Sequence, residues 1–354
     1  MREGTAPVAA GVDGSVRRLV DIVTSPWAAQ AVFTAAAMSL PDHVAAGRAT
    51  PAALAAACDA DADGVRRLMR LLVDLGVFGG SERSGYRLTP LGELLRTGVP
   101  GSMRDLCLLY GNEFYRAWAH APHAIATGRP AFDEAFGAPL QAYLRSTAGA
   151  TALFQRAMNA GSPFFAEVPR AFDFSRSPLV IDVAGGTGTL LATVLRANPS
   201  CAGVLLELPH VVERARAEAA RTPGLERCEI VAGNLFESVP PGGDAYLLSR
   251  VLQDWDDAGC VQALANCRRA MNDSSALLVL ERVIPEPEQR PAPVEGRRDG
   301  VSLALLWDLH LLMMTAGRER TLDEYRRLLR TAGLELASQS SLPLEMTLLV
   351  ARAA

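Results

Sequence analysis

The sequence predicts a doubly wound α/β sheet of seven strands that follows a mostly helical N-terminal domain. From residue 169 onward, short apolar runs rich in β-branched residues alternate with helical patterns, as in sheets whose parallel strands are joined by helices. One such run, Val180 to Val183, is followed at once by glycines at 185, 186 and 188 and then by a helical segment. Because ligands of such sheets bind at the carboxyl ends of the strands, the sequence predicts a ligand site at this glycine turn.

The order of patterns along the chain predicts three parts. These are a helical domain over 1–100, connecting helices over 101–168 that line a substrate pocket, and a ligand-binding domain over 169–354. Residues 1–13 predict a frayed terminus, and the stretch 285–300, rich in Pro, Glu and Arg, predicts a mobile surface excursion. The predicted strands are 180–183, 203–206, 229–233, 244–249, 276–284, 334–339 and 346–351.

The N-terminal domain combines helices with a short β-wing, a pattern typical of winged-helix domains. Thr50 opens one helix, Asp61 or Asp63 caps the next, and a short strand follows over 86–88. The candidate recognition helix carries three arginines among four aspartates, which is not the basic surface that a DNA duplex requires. Its alanine-rich helices instead predict close packing between two copies of the chain, and hence a homodimer.

Composition and charge narrow the class of protein. The net charge of −4 argues against nucleic acid as the main partner, and the longest apolar runs are too short for a membrane span. The six cysteines are scattered, with no C-x-x-C pair and no histidine at ligand spacing, so we expect neither a disulfide framework nor a metal site. These features predict a cytoplasmic protein with reduced thiols.

Acidic residues around the glycine turn indicate which ligand it binds. Asp182 lies inside the strand, three residues before the first glycine, and Leu191 stands where a dinucleotide fingerprint requires its third glycine. A carboxylate at 182 would repel a pyrophosphate but suits a cationic ligand with an amino group, such as S-adenosylmethionine (SAM). Glu207 follows the next strand, where it can accept hydrogen bonds from two ribose hydroxyls. The pattern therefore predicts a SAM site.

The chain resembles, over essentially its full length, the SAM-dependent O-methyltransferases of the plant caffeic-acid type and their actinomycete relatives in aromatic polyketide tailoring. The matching segments are GVF…YRLTPLGELL, TGRPAF, LVIDVAGGTGTLL, ELPHVV, AGNLFESVP, DAYLLSRVLQDWDD, LVLERVIP and GRERTLDEYRRLL. The resemblance implies a Rossmann-like class I methyltransferase sheet of seven strands with an N-terminal, all-helical, winged-helix dimerisation domain. It also implies the cofactor SAM, a small aromatic acceptor and no metal.

By this resemblance, backbone atoms at Ala184 to Gly186 hold the methionine part of SAM, Glu207 binds the ribose, and Asn234 and Leu235 flank the adenine. Three residues depart from the family pattern: Ala184 replaces a glycine, Asn234 an aspartate and Ser249 a lysine. The expected cofactor residues are Asp182, Ala184, Gly185, Gly186, Gly188, Glu207, Leu208, Asn234, Leu235, Phe236, Ser249 and Arg250. The expected substrate residues are Trp118, His123, Phe154, Met158, Asn159, Met313 and Met314.

The departure with the largest consequence is at residue 253. The family has H-D-W at this point, with the histidine as general base, whereas this chain has Gln253-Asp254-Trp255. Glutamine does not titrate and cannot take the proton of the acceptor hydroxyl. The flanking acids of the family match Glu281 and Glu319, which completes the expected catalytic set together with Gln253, Asp254 and His310.

The missing histidine leaves several routes open. The acceptor hydroxyl can be acidic already, or Glu319, Asp254, His310 or one of His120 and His123 can take the proton. We therefore expect SAM-dependent O-methylation of a hydroxyl or acidic oxygen on a small aromatic or polyketide secondary metabolite. One alternative is a non-methylating decarboxylase, hydroxylase or cyclase that uses the sulfonium charge electrostatically. Another is a SAM-binding winged-helix regulator. The sequence does not distinguish O- from N- or C-methylation.

Overall fold

The structure, a computed structural model, describes residues 10–286 and 301–354. Within them the chain divides into two compact units, one of residues 10–116 and 144–161, the other of 117–143, 162–286 and 301–354. The segment 101–168, predicted to connect the two domains, contributes to both units. Most of the predicted excursion over 285–300, and residues 1–9 of the predicted frayed terminus, lie outside the described residues, whereas residues 10–13 are helical.

Residues 10–161 form one long helix, several short helices and a small hairpin. Side-chain caps start two of these helices as predicted: Thr50 Oγ1 accepts from Ala53 N at 3.2 Å, and Asp61 accepts from Gly64 N at 2.6 Å. The elements are α1 (Ala10–Ala37), α2 (Leu40–Ala45), α3 (Pro51–Cys58), α4 (Ala62–Asp74), β1 (Phe78–Ser81), β2 (Gly85–Leu88), α5 (Pro90–Glu93), α6 (Arg104–Gly111), α7 (Glu113–Trp118), α8 (Ala121–Thr127), α9 (Ala131–Phe136), α10 (Leu140–Ser146) and α11 (Ala150–Ala160).

The remaining residues form the predicted α/β sheet. The elements are α12 (Val168–Ala171), β3 (Leu179–Val183), α13 (Thr189–Ala197), β4 (Ala202–Glu207), α14 (Pro209–Ala219), β5 (Cys228–Ala232), β6 (Ala245–Ser249), α15 (Asp257–Ala270), β7 (Ala276–Ile284), α16 (Leu303–Met314), β8 (Arg320–Thr321), α17 (Leu322–Thr331), β9 (Leu334–Leu342) and β10 (Met346–Ala353).

The strand order β5-β4-β3-β6-β7-β10-β9 places β6 at the centre of the sheet, with β3 beside it. Strands β3 to β7 pair in parallel, whereas β10 is antiparallel to both of its neighbours. The seven strands on this path are the seven that the sequence predicts. The two-residue strand β8, which pairs with the end of β7, is additional, since two residues are too few to show an alternating pattern.

Buried apolar residues fix the sheet and its helices. Val180 and Ile181 of β3 are fully buried, as are Leu191 and Val194 on the face of α13 that covers the sheet. After β3 the chain builds β4 and β5 on one side, and then crosses to build β6 and β7 on the other. The carboxyl ends of β3 and β6 therefore flank the topological switch point, where sheets of this kind bind their ligands.

Candidate active site

The carboxylate of Asp182 lies buried beneath the glycine turn. Its side chain is fully buried, and neither carboxylate oxygen has a hydrogen-bond partner among the described residues. Burial, and secondarily the nearby charge of Glu207, raises the pKa of Asp182 to about 7. A Cβ added at Gly185 would lie 2.2 Å from Asp182 Oδ2, so the turn has no room for a side chain there. An unsatisfied buried carboxylate beneath half-buried backbone suits a cationic amino group.

The glycine turn is also tied to the end of β4. Glu207 accepts hydrogen bonds from Gly186 N at 2.8 Å through Oε1 and from Leu208 N at 2.7 Å through Oε2. Each carboxylate oxygen keeps a second lone pair, so Glu207 can still accept bonds from two hydroxyl groups. Ala184, Gly186 and Gly188 have positive φ angles of 56°, 63° and 78°, the conformation that the turn requires. An alanine at 184 is therefore held in a strained conformation.

Residues after β5 and β6 form a wall at the carboxyl ends of these two strands. Asn234 Oδ1 accepts from Phe236 N at 3.0 Å, and Leu235 O accepts from Asn266 Nδ2 at 2.6 Å. The Phe236 ring meets the Trp255 ring edge to face, with centroids 4.6 Å apart. The sequence did not single out Trp255 as a site residue; its position in the Q-D-W segment is the signal that could have done so.

Arg250, immediately after β6, is held in a left-handed conformation with φ of 54°. Its guanidinium donates to Ser162 Oγ at 2.8 Å and lies about 5.8 Å from the centroid of the Phe164 ring. Ser249 Oγ is buried and has no hydrogen-bond partner in the described part of the chain. Strained backbone and unsatisfied polar atoms concentrate at functional sites. With Asp182, Glu207 and the glycine cradle, these residues fit SAM.

Two buried glutamates lie near the end of β7. Glu281 Oε1 accepts from Val251 N at 2.9 Å and from Leu252 N at 2.8 Å, whereas Oε2 has no partner among the described residues. Burial raises the pKa of Glu281 to about 8. Burial and the charge of Glu281 raise the pKa of Glu319 to about 9, although Arg282 Nη1 lies 3.9 Å from Glu319 Oε1. Both side chains therefore hold protons at neutral pH.

Gln253 and Asp254 follow β6 in a short helical turn. The Oε1 atom of Gln253 is buried and has no hydrogen-bond partner in the described structure. Desolvation by the surrounding protein raises the pKa of Asp254 to about 6, although its side chain still reaches solvent. Gln253 thus presents an unused hydrogen-bonding group but no titratable one, and Asp254 is more acidic than the buried Glu281 and Glu319.

His310 on α16 is buried and engaged by a tryptophan. Trp118 Nε1 donates to His310 Nδ1 at 3.1 Å, which places the imidazole proton on Nε2. Burial lowers the pKa of His310 to about 4, so the ring is neutral at physiological pH. Met313 and Met314, on the same helix, are buried in the second unit.

Other predicted substrate residues are distributed between the two units. His123 lies on α8, in the second unit with Trp118 and His310. Phe154, Met158 and Asn159 lie on α11, in the first unit, and their role in substrate binding stays a prediction. No group of three or more His, Cys, Asp or Glu residues that could hold a metal occurs among the described residues. None of the described helices is long and apolar enough to cross a membrane.

Comparison with known proteins identifies the family. A family model of the O-methyltransferase domain matches residues 118–335, and one of the O-methyltransferase dimerisation domain matches residues 20–98. The 3-amino-4-hydroxybenzoate 4-O-methyltransferase of Streptomyces cremeus is 42% identical over 97% of this chain and 91% of the relative. The phenazine-1-carboxylate N-methyltransferase of Pseudomonas aeruginosa is 39% identical over 95% of this chain and 97% of the relative.

A solved structure agrees with these relatives. Human N-acetylserotonin methyltransferase in complex with SAM superimposes with a TM-score of 0.85 at 28% identity, over 99% of this chain and 100% of that one. The dimerisation domain supports the predicted homodimer, and the fit of the glycine turn to SAM agrees with the ligand in that complex. The chain belongs to the O-methyltransferase family and is a SAM-dependent methyltransferase.

Proposed function

We propose that this protein transfers the methyl group of SAM to an acidic oxygen on a small aromatic secondary metabolite, without a general base at residue 253. The observation that carries the proposal is Gln253, which by the resemblance to the family stands where its members have a histidine. An ordinary phenol, with a pKa of about 10, is only about 0.1% ionised at pH 7. A carboxylic acid is already ionised at pH 7, and a phenol conjugated to a carbonyl group is ionised to a much larger fraction than an ordinary phenol. Either acceptor reduces the need for a base.

The residues of the site support methyl transfer by positioning, without a general base. When bound, SAM supplies an electrophilic methyl group on its sulfonium. Asp182 and Glu207 orient the cofactor through its amino and hydroxyl groups, and positioning of this kind can contribute about 7–11 kcal/mol to a displacement. Glu319 holds its proton at neutral pH and so cannot accept another. His310 is neutral, with Nδ1 engaged by Trp118, and is better suited to a hydrogen bond than to general base catalysis.

The relatives favour methyl transfer over the non-methylating alternative, because the two described above are named as methyltransferases of aromatic compounds. We also infer that the N-terminal domain serves self-association and not nucleic-acid binding. Both Arg66 and Arg67 on α4 are paired with Asp63, and their charge is therefore partly neutralised within the chain.

A series of hydroxybenzoates, naphthoic acids and phenols of graded acidity tests the proposed reaction. The enzyme and SAM are incubated with each acceptor at pH 7, and S-adenosylhomocysteine is measured. We expect kcat/KM to rise as the pKa of the acceptor falls, because a larger fraction is already ionised. Failure to release S-adenosylhomocysteine with every acceptor, together with SAM-dependent conversion of one of them, would contradict methyl transfer.

N-methylation of an aromatic ring nitrogen is a second candidate. A ring nitrogen attacks through its lone pair and needs no base, which also agrees with Gln253. The relative from Pseudomonas aeruginosa is named as an N-methyltransferase of a phenazine carboxylate. Including aza-aromatic carboxylates in the same series, with product structures from NMR, distinguishes the two. N-methylation would be selected if ring nitrogens are methylated at rates independent of pH between 7 and 9 and all hydroxyl groups are methylated slowly.

A further inference from the structure

Arg320 is a fully buried arginine whose guanidinium is bound to one short loop. Its Nη1 donates to Leu252 O at 2.9 Å and its Nη2 to Trp255 O at 2.7 Å. Asp257 Oδ1 accepts from Nε at 3.1 Å and from Nη2 at 3.0 Å. The guanidinium therefore holds both ends of the Gln253–Asp254 segment and the start of α15. We call residues 252–257 the QDW loop.

The chain around Arg320 also grips the QDW loop. Arg318 N donates to Gln253 O at 2.8 Å. A Cβ at Gly317 would lie 2.4 Å from the same Gln253 oxygen, so the two backbones approach too closely for any other residue at 317. On the opposite side, Glu281 accepts from the backbone N–H groups of Val251 and Leu252. Residues 317–320, which we call the strap, thus fix the loop against the end of β7.

The loop and the strap carry side chains from both halves of the proposed site. Trp255 packs on Phe236, in the wall expected to hold adenine, and Gln253 occupies the position expected to face the acceptor. Glu319, next to Arg320 in the strap, lies beside Arg282. One guanidinium therefore determines how the cofactor wall, residue 253 and Glu319 are placed relative to each other.

Burying a guanidinium is costly unless its donors are all directed at good acceptors, so a fully buried arginine implies a demand for fixed geometry. We propose that Arg320 is a positioning residue for methyl transfer, which locks the QDW loop to the strap and so aligns acceptor and cofactor. The inference rests on the proposed function. A lysine keeps the positive charge but lacks the planar fork that reaches Leu252 O and Trp255 O in different directions.

The test compares Arg320→Lys with Arg227→Lys in the full-length protein. Arg227 also donates to backbone carbonyls, among them Pro199 O at 2.8 Å and Leu195 O at 2.5 Å, but touches neither loop nor strap. Two quantities are measured: kcat per SAM-binding site, counted by calorimetric titration, and hydrogen–deuterium exchange of the peptide spanning 251–258. Counting sites removes the effect of misfolded protein.

For Arg320→Lys we expect faster exchange in the 251–258 peptide and a 10- to 100-fold lower kcat per SAM-binding site, since misplacement of about 1 Å can cost a factor of 100. Arg227→Lys should change neither. If kcat per SAM-binding site is the same for Arg320→Lys and for the wild type, the proposal is overturned. If Arg320→Lys does not fold, Asp257→Asn, with an exposed side chain, should change both quantities in the same direction by a smaller factor, and its failure to do so would also overturn it.

The two proposals fail in different ways. If the wild type releases no S-adenosylhomocysteine with any acceptor, the proposed function fails, while exchange and SAM affinity still report on the loop. In that case, unchanged exchange at 251–258 and unchanged SAM affinity in Arg320→Lys would reject the positioning role. The wild type can instead be active while Arg320→Lys and Asp257→Asn lose activity only in proportion to their lost SAM-binding sites. In that case, Arg320 is purely structural.

Discussion

At the scale of single residues, Gln253 is the expected departure from the family pattern with the largest chemical consequence. Its Oε1 atom is buried without a hydrogen-bond partner among the described residues, which is unfavourable unless a bound molecule completes the contact. An amide can both donate and accept such a bond but cannot take up a proton. The residue is therefore suited to orient an acceptor. The reaction at this position must then proceed without a base.

Replacement of Gln253 by histidine should restore a general base. We expect kcat for ordinary phenols to rise by about 100-fold, at the low end of the usual contribution of a general base. The rate should increase with pH through about 6–7, as the imidazole loses its proton. Steady-state kinetics from pH 5.5 to 8.5 measure this, with Gln253→Asn as the non-titrating control. An unchanged rate and profile would mean that the acceptor oxygen does not approach residue 253.

Glu319 makes a second prediction at this scale, for stability. Its pKa is about 4.5 when unfolded and about 9 in the native protein, so between these values the native state keeps a proton that the unfolded state releases. The free energy of unfolding therefore falls as pH rises from 4.5 to 9 and levels off above 9. Glu319→Gln removes this contribution, and its Tm should fall less than that of the wild type between pH 6 and 9.

Thermal unfolding monitored by circular dichroism at several pH values measures the difference. The control is Glu335→Gln, at an exposed position of β9. Its Tm should follow the wild type at each pH. Parallel curves for Glu319→Gln and the wild type would show that Glu319 is ionised in the native protein, and would reopen its assignment as a base.

At the scale of elements, the glycine turn and its strand were readable in advance, because apolar runs, glycines and acidic residues recur at spacings that the sheet imposes. Arg320 and β8 were not. A two-residue strand has no period, and nothing in the letters G-R-E-R-T tells a buried arginine from an exposed one. The tautomer of His310 was equally hidden, since it depends on Trp118, 192 residues away.

The turn makes a prediction about cofactor affinity. The carboxyl of Asp182, with a pKa of about 7, is mostly protonated at pH 6 and mostly ionised at pH 8. A cationic amino group prefers the ionised form, so SAM should bind more tightly as pH rises from 6 to 8. Asp182→Asn should remove most of this dependence and weaken binding about 10- to 100-fold at pH 8, the usual value of a hydrogen bond to a charged group.

Isothermal titration calorimetry with SAM at pH 6, 7 and 8 provides the measurement. Asp244→Asn is a matched control, because Asp244 accepts from Leu179 N at the other end of β3, away from the turn. It should bind SAM as the wild type does. If Asp182→Asn binds SAM as tightly as the wild type, the amino group of SAM does not contact residue 182.

At the scale of the whole molecule, association between two copies follows from the exposed face of α1. Leu19, Val23 and Trp27 recur every four residues along one stripe, and each exposes more than 60% of its surface. Contiguous exposed apolar surface of this kind marks an interaction site, and the dimerisation-domain match over 20–98 includes most of the stripe. A second copy of the chain is the partner that this match supports.

Charges introduced in the stripe should therefore separate the copies. We expect the wild type to be a dimer by light scattering coupled to size-exclusion chromatography, and Val23→Glu/Trp27→Glu to be a monomer, because a desolvated unpaired carboxylate is costly in an apolar interface. Ile125→Glu, at an equally exposed position on α8, should remain dimeric. A double variant with the wild-type mass would move the interface away from α1. Loss of association with the circular dichroism spectrum retained would show that the chain folds before it pairs.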